Sequence, residues 1–352
     1  MRCKNLTDID ATRMTTQIVL PGVVAPSGLQ VRQVGIPVPG ANQVLLHMEA
    51  SGVSFAEKAM RRGRYPMQPK FPFVPGYDVV GKVLEVGPGG DPSMIGRRVA
   101  AALKTGGWAT HVLVSADEIV PVPGGVAAAD AETVIVNGVT AWQMLYRKAQ
   151  AKPGQTTLVL GASSGVGTIL AQLAIADGMR VIGTASPRHH AALKAFGVEP
   201  IDYADPDVAA RVRALSPCGV DAVFDHLGPS SVRQSFGLLD QGGILVVYGI
   251  AADLDKKTAM LPRFLGLLAT LSLWSALPNG RRAMFYDFWQ GMLTGKAVAR
   301  QRRREDMAKV MEQLATGAIK PMIAATFPLI EVAAAMEKSE ARGLFGKVVI
   351  VP

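Results

Sequence analysis

Cysteine is nearly absent: the 352-residue chain has two, Cys3 and Cys218. That excludes a disulfide framework and makes a reducing, cytoplasmic location the expectation. Long apolar runs are also missing. The most hydrophobic stretch, Phe264–Leu277, spans about fourteen residues between Pro262-Arg263 and Pro278, short of the roughly twenty that cross a bilayer. It reads as a buried or interface element, so membrane association is not expected. No secretory signal is read at the N-terminus, where no apolar core adjoins a basic stretch. Residues 1–13 are polar and read as a disordered extension ahead of Met14. Acidic charge is in deficit: 37 Lys and Arg against 28 Asp and Glu give a net charge of +9, with arginines clustered at Arg61, Arg62 and Arg64, at Arg97-Arg98, at Arg281-Arg282 and at Arg302-Arg303-Arg304. No nucleic-acid motif accompanies them, so a solvated surface that favours anionic ligands is expected rather than a nucleic-acid partner. The five histidines show no metal-ligand spacing with other candidates.

The most informative run is residues 158–167, Leu-Val-Leu-Gly-Ala-Ser-Ser-Gly-Val-Gly. Leu158, Val159 and Leu160 read as a buried parallel strand, broken by Gly161, Gly165 and Gly167. An apolar helix follows through Ile169, Leu170 and Leu173, and Arg180–Thr184 closes a βαβ unit. Strand, glycine turn and helix N-terminus in that order form a phosphate cradle from Gly161, Ala162, Ser163, Ser164, Gly165, Val166 and Gly167. This glycine spacing also suits short-chain dehydrogenases. Those begin with the motif and need Tyr-x-x-x-Lys, whereas here more than a hundred residues precede it and none of the six tyrosines has Lys four positions on.

Residues 17–125 read as strands separated by Pro/Gly turns, including Val44–Met48, Val79–Val86 and Arg98–Ala101. From about 127 to 250 the pattern changes to βα alternation, with strands at Leu158–Leu160, Arg180–Thr184, Asp221–Phe224 and Ile244–Tyr248. The expected fold class is α/β: a Rossmann-type doubly wound parallel sheet plus a β-rich domain.

Several blocks occur together in order: Pro37-Val38-Pro39-Gly40 through Val44, Ala50–Ala56, Gly63-Arg64-Tyr65-Pro66, Pro75-Gly76-Tyr77-Asp78, Asn137–Trp142, the glycine turn, Ile201-Asp202-Tyr203 and Gly346–Val349. From Met14 onward the chain resembles the medium-chain dehydrogenase/reductase superfamily, in its zinc-free, quinone oxidoreductase-like branch with the zeta-crystallins and enoyl reductases. The resemblance implies a discontinuous GroES-like β-rich catalytic domain at 14–130 and 276–352 and a Rossmann dinucleotide-binding domain at 131–275, with the cofactor between them. It also implies a homodimer. Zinc-dependent relatives place Cys within the segment here reading Ser51–Ser54 and His where Tyr77 stands. Serine and phenol are poor zinc ligands, so no metal is expected.

After the second Rossmann strand, Thr184-Ala185-Ser186-Pro187-Arg188 carries no acid for a ribose hydroxyl; Ser186 and Arg188 instead suit a 2′-phosphate, so NADPH is the expected cofactor. The resemblance adds Tyr203 and Arg342 on the phosphate side, and Thr140 and Asn137 beside the cofactor. Leu227, Tyr248, Gly249 and Ile250 fall at strand ends, around the nicotinamide. Two catalytic candidates follow. Tyr65 either hydrogen-bonds a substrate carbonyl or packs as a cleft wall, and Ser54 occupies the family's Asn position, with Glu57 in place of its Asp. The expected function is NADPH-dependent reduction of a quinone or α,β-unsaturated carbonyl. The alternatives are an enoyl-thioester reductase acting on CoA or carrier-protein substrates, and an NADPH-binding protein that is non-enzymatic or membrane-associated.

Overall fold

The computed structural model describes residues 14–253, 260–291, 295–341 and 343–352. The extension read at 1–13 and the phosphate-side Arg342 lie outside the described residues. The strands are β1 (Met14–Val19), β2 (Gln30–Gly35), β3 (Gln43–Val53), β4 (Asp78–Val86), β5 (Arg98–Ala102), β6 (His111–Ser115), β7 (Ile119–Pro121), β8 (Thr156–Val159), β9 (Arg180–Ala185), β10 (Glu199–Asp202), β11 (Val220–Asp225), β12 (Leu239–Val247), β13 (Arg282–Phe285), β14 (Ile323–Pro328) and β15 (Lys347–Val351). The helices are α1 (Phe55–Arg61), α2 (Ala128–Val134), α3 (Val136–Trp142), α4 (Gly165–Ala176), α5 (His190–Ala195), α6 (Val208–Leu215), α7 (Val232–Gly237), α8 (Met260–Ser275), α9 (Lys296–Ala315) and α10 (Val332–Glu340).

Near-continuous apolar strands need cover on both faces, and β8, β11 and β12 are of that kind: Leu158, Val223, Phe224, Leu245 and Val246 are fully buried. They form a six-stranded parallel sheet in the order β10-β9-β8-β11-β12-β13. Counting from β8, that is 3-2-1-4-5-6, the doubly wound arrangement whose order reverses between β8 and β11. The alternating segments build a second sheet, β14-β15-β3-β4-β5-β7, with β6 also paired to β3. The C-terminal strand β15 lies inside this sheet between β14 and β3, with Val348, Val349 and Ile350 antiparallel to Val53, Gly52 and Ser51. The boundary drawn at 275/276 falls between α8 and β13, and β13 belongs to the parallel sheet.

The apolar stretch Phe264–Leu277 is mostly α8. Leu267 and Leu271 are buried, but Leu261, Leu265, Leu273 and Leu277 are exposed, so the helix buries one face rather than its whole surface. Among the described residues no helix is long and apolar enough to cross a membrane.

One buried ionic cluster ties the β-rich domain together. Lys347 on β15 donates to Asp78 on β4 at 2.7 Å and to Glu132 on α2. All three side chains are almost fully buried. Burial and the neighbouring Asp78 push the Glu132 carboxyl well above its usual range, while the two acids hold Lys347 protonated against its own desolvation. Removing one partner of a buried pair leaves an uncompensated charge. Lys347→Met is therefore expected to lower unfolding stability by about 3–5 kcal/mol, read from the shift in urea midpoint.

Candidate active site

The parallel sheet presents its switch point to the β-rich domain, and the glycine turn sits there. Gly161 has φ +69°, and a Cβ on it would lie 2.5 Å from the His226 ring. A Cβ on Gly167 would lie 2.3 Å from the Gly161 carbonyl oxygen, so neither position accepts a side chain. The turn uses some of its own donors: Gly161 N–H bonds Thr184 Oγ1, Ala162 N–H bonds the Thr184 carbonyl, and Gly167 N–H bonds the capping Ser164 hydroxyl. The N–H groups of Ser163, Gly165 and Val166 have no partner among the described residues. Three unpaired amides at the start of a twelve-residue helix fit an anionic pyrophosphate.

A second polar rim lies at the ends of β9 and β10. Arg188 Nε bonds Ser186 Oγ at 3.2 Å, and Tyr203, more than half exposed, bonds its N–H back to Ala185. The Arg188 guanidinium lies against Gly343, whose carbonyl accepts from His189 Nε2 at 3.2 Å. The C-terminal segment thus runs over the rim. At the next step Gly346 N–H bonds the Ser163 carbonyl of the glycine turn.

Between the two sheets lies a cleft of about 610 Å³. It brings together Ser54, Tyr65, Asn137 and Thr140 with Ser164, Gly165 and Val166 of the turn, and with Tyr248, Gly249 and Ile250 beyond β12. The amide of Asn137 packs against Gly165, the first residue of α4. Leu227 does not reach the cleft; it packs with the core behind the sheet. Ala162 is fully buried and contributes backbone alone. Ser186, Arg188 and Tyr203 form their separate rim rather than lining the cleft.

Tyr65 Oη is 2.5 Å from Tyr77 Oη, and Trp289 Nε1–H donates to the same Tyr77 oxygen. Indole has no acceptor, so this chain of hydrogen bonds is anchored at Trp289 and opens into the cleft at Tyr65. Burial pushes the Tyr65 hydroxyl up to about 12, against the lowering effect of its bond to Tyr77. Burial raises Tyr77 further. Both phenols are therefore protonated at neutral pH. Ser54 is differently employed: it caps α1, accepting from Ala56 N–H at 3.1 Å and donating to the Glu57 carboxylate. Glu57 accepts from the Ser54 N–H at 2.8 Å in return, closing a capping box. The Ser54 proton is thus engaged within the helix cap.

The donors at the family's zinc slots do not suit that ion. Ser51 Oγ donates to the Asp78 carbonyl at 2.6 Å, Tyr77 belongs to the phenol chain, and the Asp78 and Glu132 carboxyl groups both accept from Lys347. Sequence reasoning missed three groups. Tyr77 and Trp289 lie 212 residues apart, and no local signal joins them. His226 ends β11, lines the cleft and donates Nδ1–H to the Leu160 carbonyl at 3.0 Å; burial lowers its pKa, leaving it neutral with Nε2 as an acceptor. Its position at a strand end was the available signal. Gly167→Ala is expected to weaken dinucleotide binding by at least about tenfold, since the turn must widen to admit the methyl group; equilibrium titration of the variant checks it.

Residues 40–124 match the alcohol dehydrogenase GroES-like domain family, and residues 197–350 match the zinc-binding dehydrogenase family. The human synaptic vesicle membrane protein VAT-1 homolog is 33% identical over 334 residues, covering 92% of this chain and 82% of that protein. A mycobacterial protein solved in complex with NADPH superposes with a TM-score of 0.80 at 29% identity, over 96% of this chain and 100% of the other. A Pseudomonas syringae quinone oxidoreductase superposes with a TM-score of 0.82 at 26% identity, again over 96% and 100%. The sheet order, the glycine turn in the cleft and this likeness over nearly the whole chain lead to one conclusion: the chain belongs to the medium-chain dehydrogenase/reductase superfamily, in its zinc-free, quinone oxidoreductase-like branch.

Proposed function

We propose that this chain is an NADPH-dependent reductase that delivers hydride to a quinone or an α,β-unsaturated carbonyl without a metal ion. The observation that carries this reading is the protonated Tyr65 hydroxyl, held by Tyr77 in the same cleft as the glycine turn. Ser163, Gly165 and Val166 amides would hold the pyrophosphate, and Ser186, Arg188 and Tyr203 the 2′-phosphate. NADPH supplies the hydride when bound. Tyr65 donates a hydrogen bond to the substrate oxygen and stabilises the negative charge that develops there. The phenolic proton then passes to that oxygen, and Tyr77 stands next in line to replace it. Phe55, Met67, Phe264, Phe285 and Phe288 supply an apolar wall that limits water. A homodimer and a cytoplasmic location belong to the same proposal.

Lys58 and Arg64 on the cleft wall favour a second reading, an enoyl-thioester reductase whose CoA phosphates meet these cations. Crotonyl-CoA and a simple enone at equal concentration separate the two readings. NADPH binding without turnover of any quinone, enone or enoyl thioester would leave a non-enzymatic binding protein.

Tyr65→Phe is expected to lower turnover of the preferred substrate by about 10²–10⁴-fold with NADPH affinity unchanged; full activity would reduce Tyr65 to a packing residue. With Tyr65 pushed up to about 12, the wild-type rate should show no loss from its ionisation as pH rises to 9. Arg188→Ala is expected to weaken NADPH by about tenfold and leave NADH unchanged, in parallel fluorescence titrations.

A further inference from the structure

A second concavity, of about 400 Å³, lies on the other side of Phe288, a residue that lines both it and the cleft. Its wall carries Arg147 and Lys148 from the turn after α3, Arg302 and Arg303 from α9, and the amides of Gln143 and Gln290. Among the described residues no aspartate or glutamate lines it. Two of the four cations are compensated from behind. Arg147 grips Asp306 through Nε and Nη2 at 2.8 and 2.6 Å. Arg303, almost fully buried, reaches Glu118 at 3.4 Å and stacks 4.8 Å from the Trp289 ring centre. Lys148 and Arg302 have no carboxylate partner among the described residues; Lys148 Nζ donates only to Gln290 Oε1, at 2.5 Å. Burial and the charge of Arg302 both disfavour the Lys148 ammonium and lower its pKa.

We propose that this concavity binds a phosphate dianion between Lys148 and Arg302, separate from the dinucleotide cradle. Two uncompensated cations facing one pocket repel each other, and a doubly negative ligand removes that repulsion while gaining charge-assisted hydrogen bonds. The volume holds a phosphate with a small organic group attached, so inorganic phosphate and a phosphate monoester share the chemistry. Arg303 touches both this pocket and Trp289, which places the site directly behind the Trp289–Tyr77–Tyr65 chain.

The test is calorimetric titration of the full chain, saturated with NADPH, with inorganic phosphate and with glycerol 3-phosphate at constant ionic strength in chloride. One phosphate per chain is expected, weakened at least about tenfold in Lys148→Ala/Arg302→Ala and unchanged in Arg188→Ala. No binding, binding indifferent to the double substitution, or binding lost in Arg188→Ala overturns the proposal. Tighter binding of glycerol 3-phosphate assigns the site to a phosphate monoester, and equal or weaker binding to the free ion. If NADPH does not bind, the titration is run on Arg188→Ala without cofactor, which separates this site from the reductase reading. If the double variant does not fold, the single variants Lys148→Gln and Arg302→Gln decide: each should weaken phosphate binding in the same titration, and binding unchanged in both overturns the proposal.

Discussion

Gly346 and Lys347 are consecutive, and the active-site geometry depends on the pair. Gly346 pairs with Ser164 as a parallel bridge and bonds its N–H to the Ser163 carbonyl, holding the glycine turn. Its φ is +92°, and a Cβ would lie 1.9 Å from the Met322 carbonyl oxygen. Only glycine satisfies both conditions. One residue on, the Lys347 ammonium is buried between Asp78 and Glu132 in the other domain. Such a cluster adds little net stability, because desolvation offsets much of its attraction, but it penalises any displacement of its members. The width of the cleft is thus fixed where the residue before β15 touches the glycine turn of the parallel sheet.

Against that fixed frame, the residues at the zinc slots form a different device. A metal would polarise a substrate oxygen as a Lewis acid. A phenol held by a second phenol and an indole provides a neutral donor with a proton to give. That suits substrates already electron-poor, where the carbon accepts hydride readily and the oxygen needs only a hydrogen bond and then a proton. The proposed reduction of a quinone or enone rests on this economy of charge.

The parallel sheet was legible because its strands are short apolar runs at regular spacing, and the cradle because glycine, strand and helix occur in one local order. The cap on α1 was also within reach, as Ser54 and Glu57 stand three apart in the capping-box pattern. Long-range chemistry was not legible. Lys347 meets Asp78 across 269 residues, and Trp289 meets Tyr77 across 212. No periodicity encodes such meetings; they follow from the C-terminal strand joining the first domain's sheet and from the loop after β13 reaching over the cleft. The stretch Phe264–Leu277 shows the converse limit: composition marks it apolar, but which face the fold covers is decided by β13 beside it.

The most direct measurement is titration of the wild-type protein with NADPH and with NADH, followed by nicotinamide fluorescence. If the unpaired amides of the glycine turn hold a pyrophosphate and the Ser186–Arg188–Tyr203 rim holds a 2′-phosphate, NADPH saturates at one per chain and binds at least about tenfold tighter than NADH. Equal affinities, or no binding of either, would contradict the account.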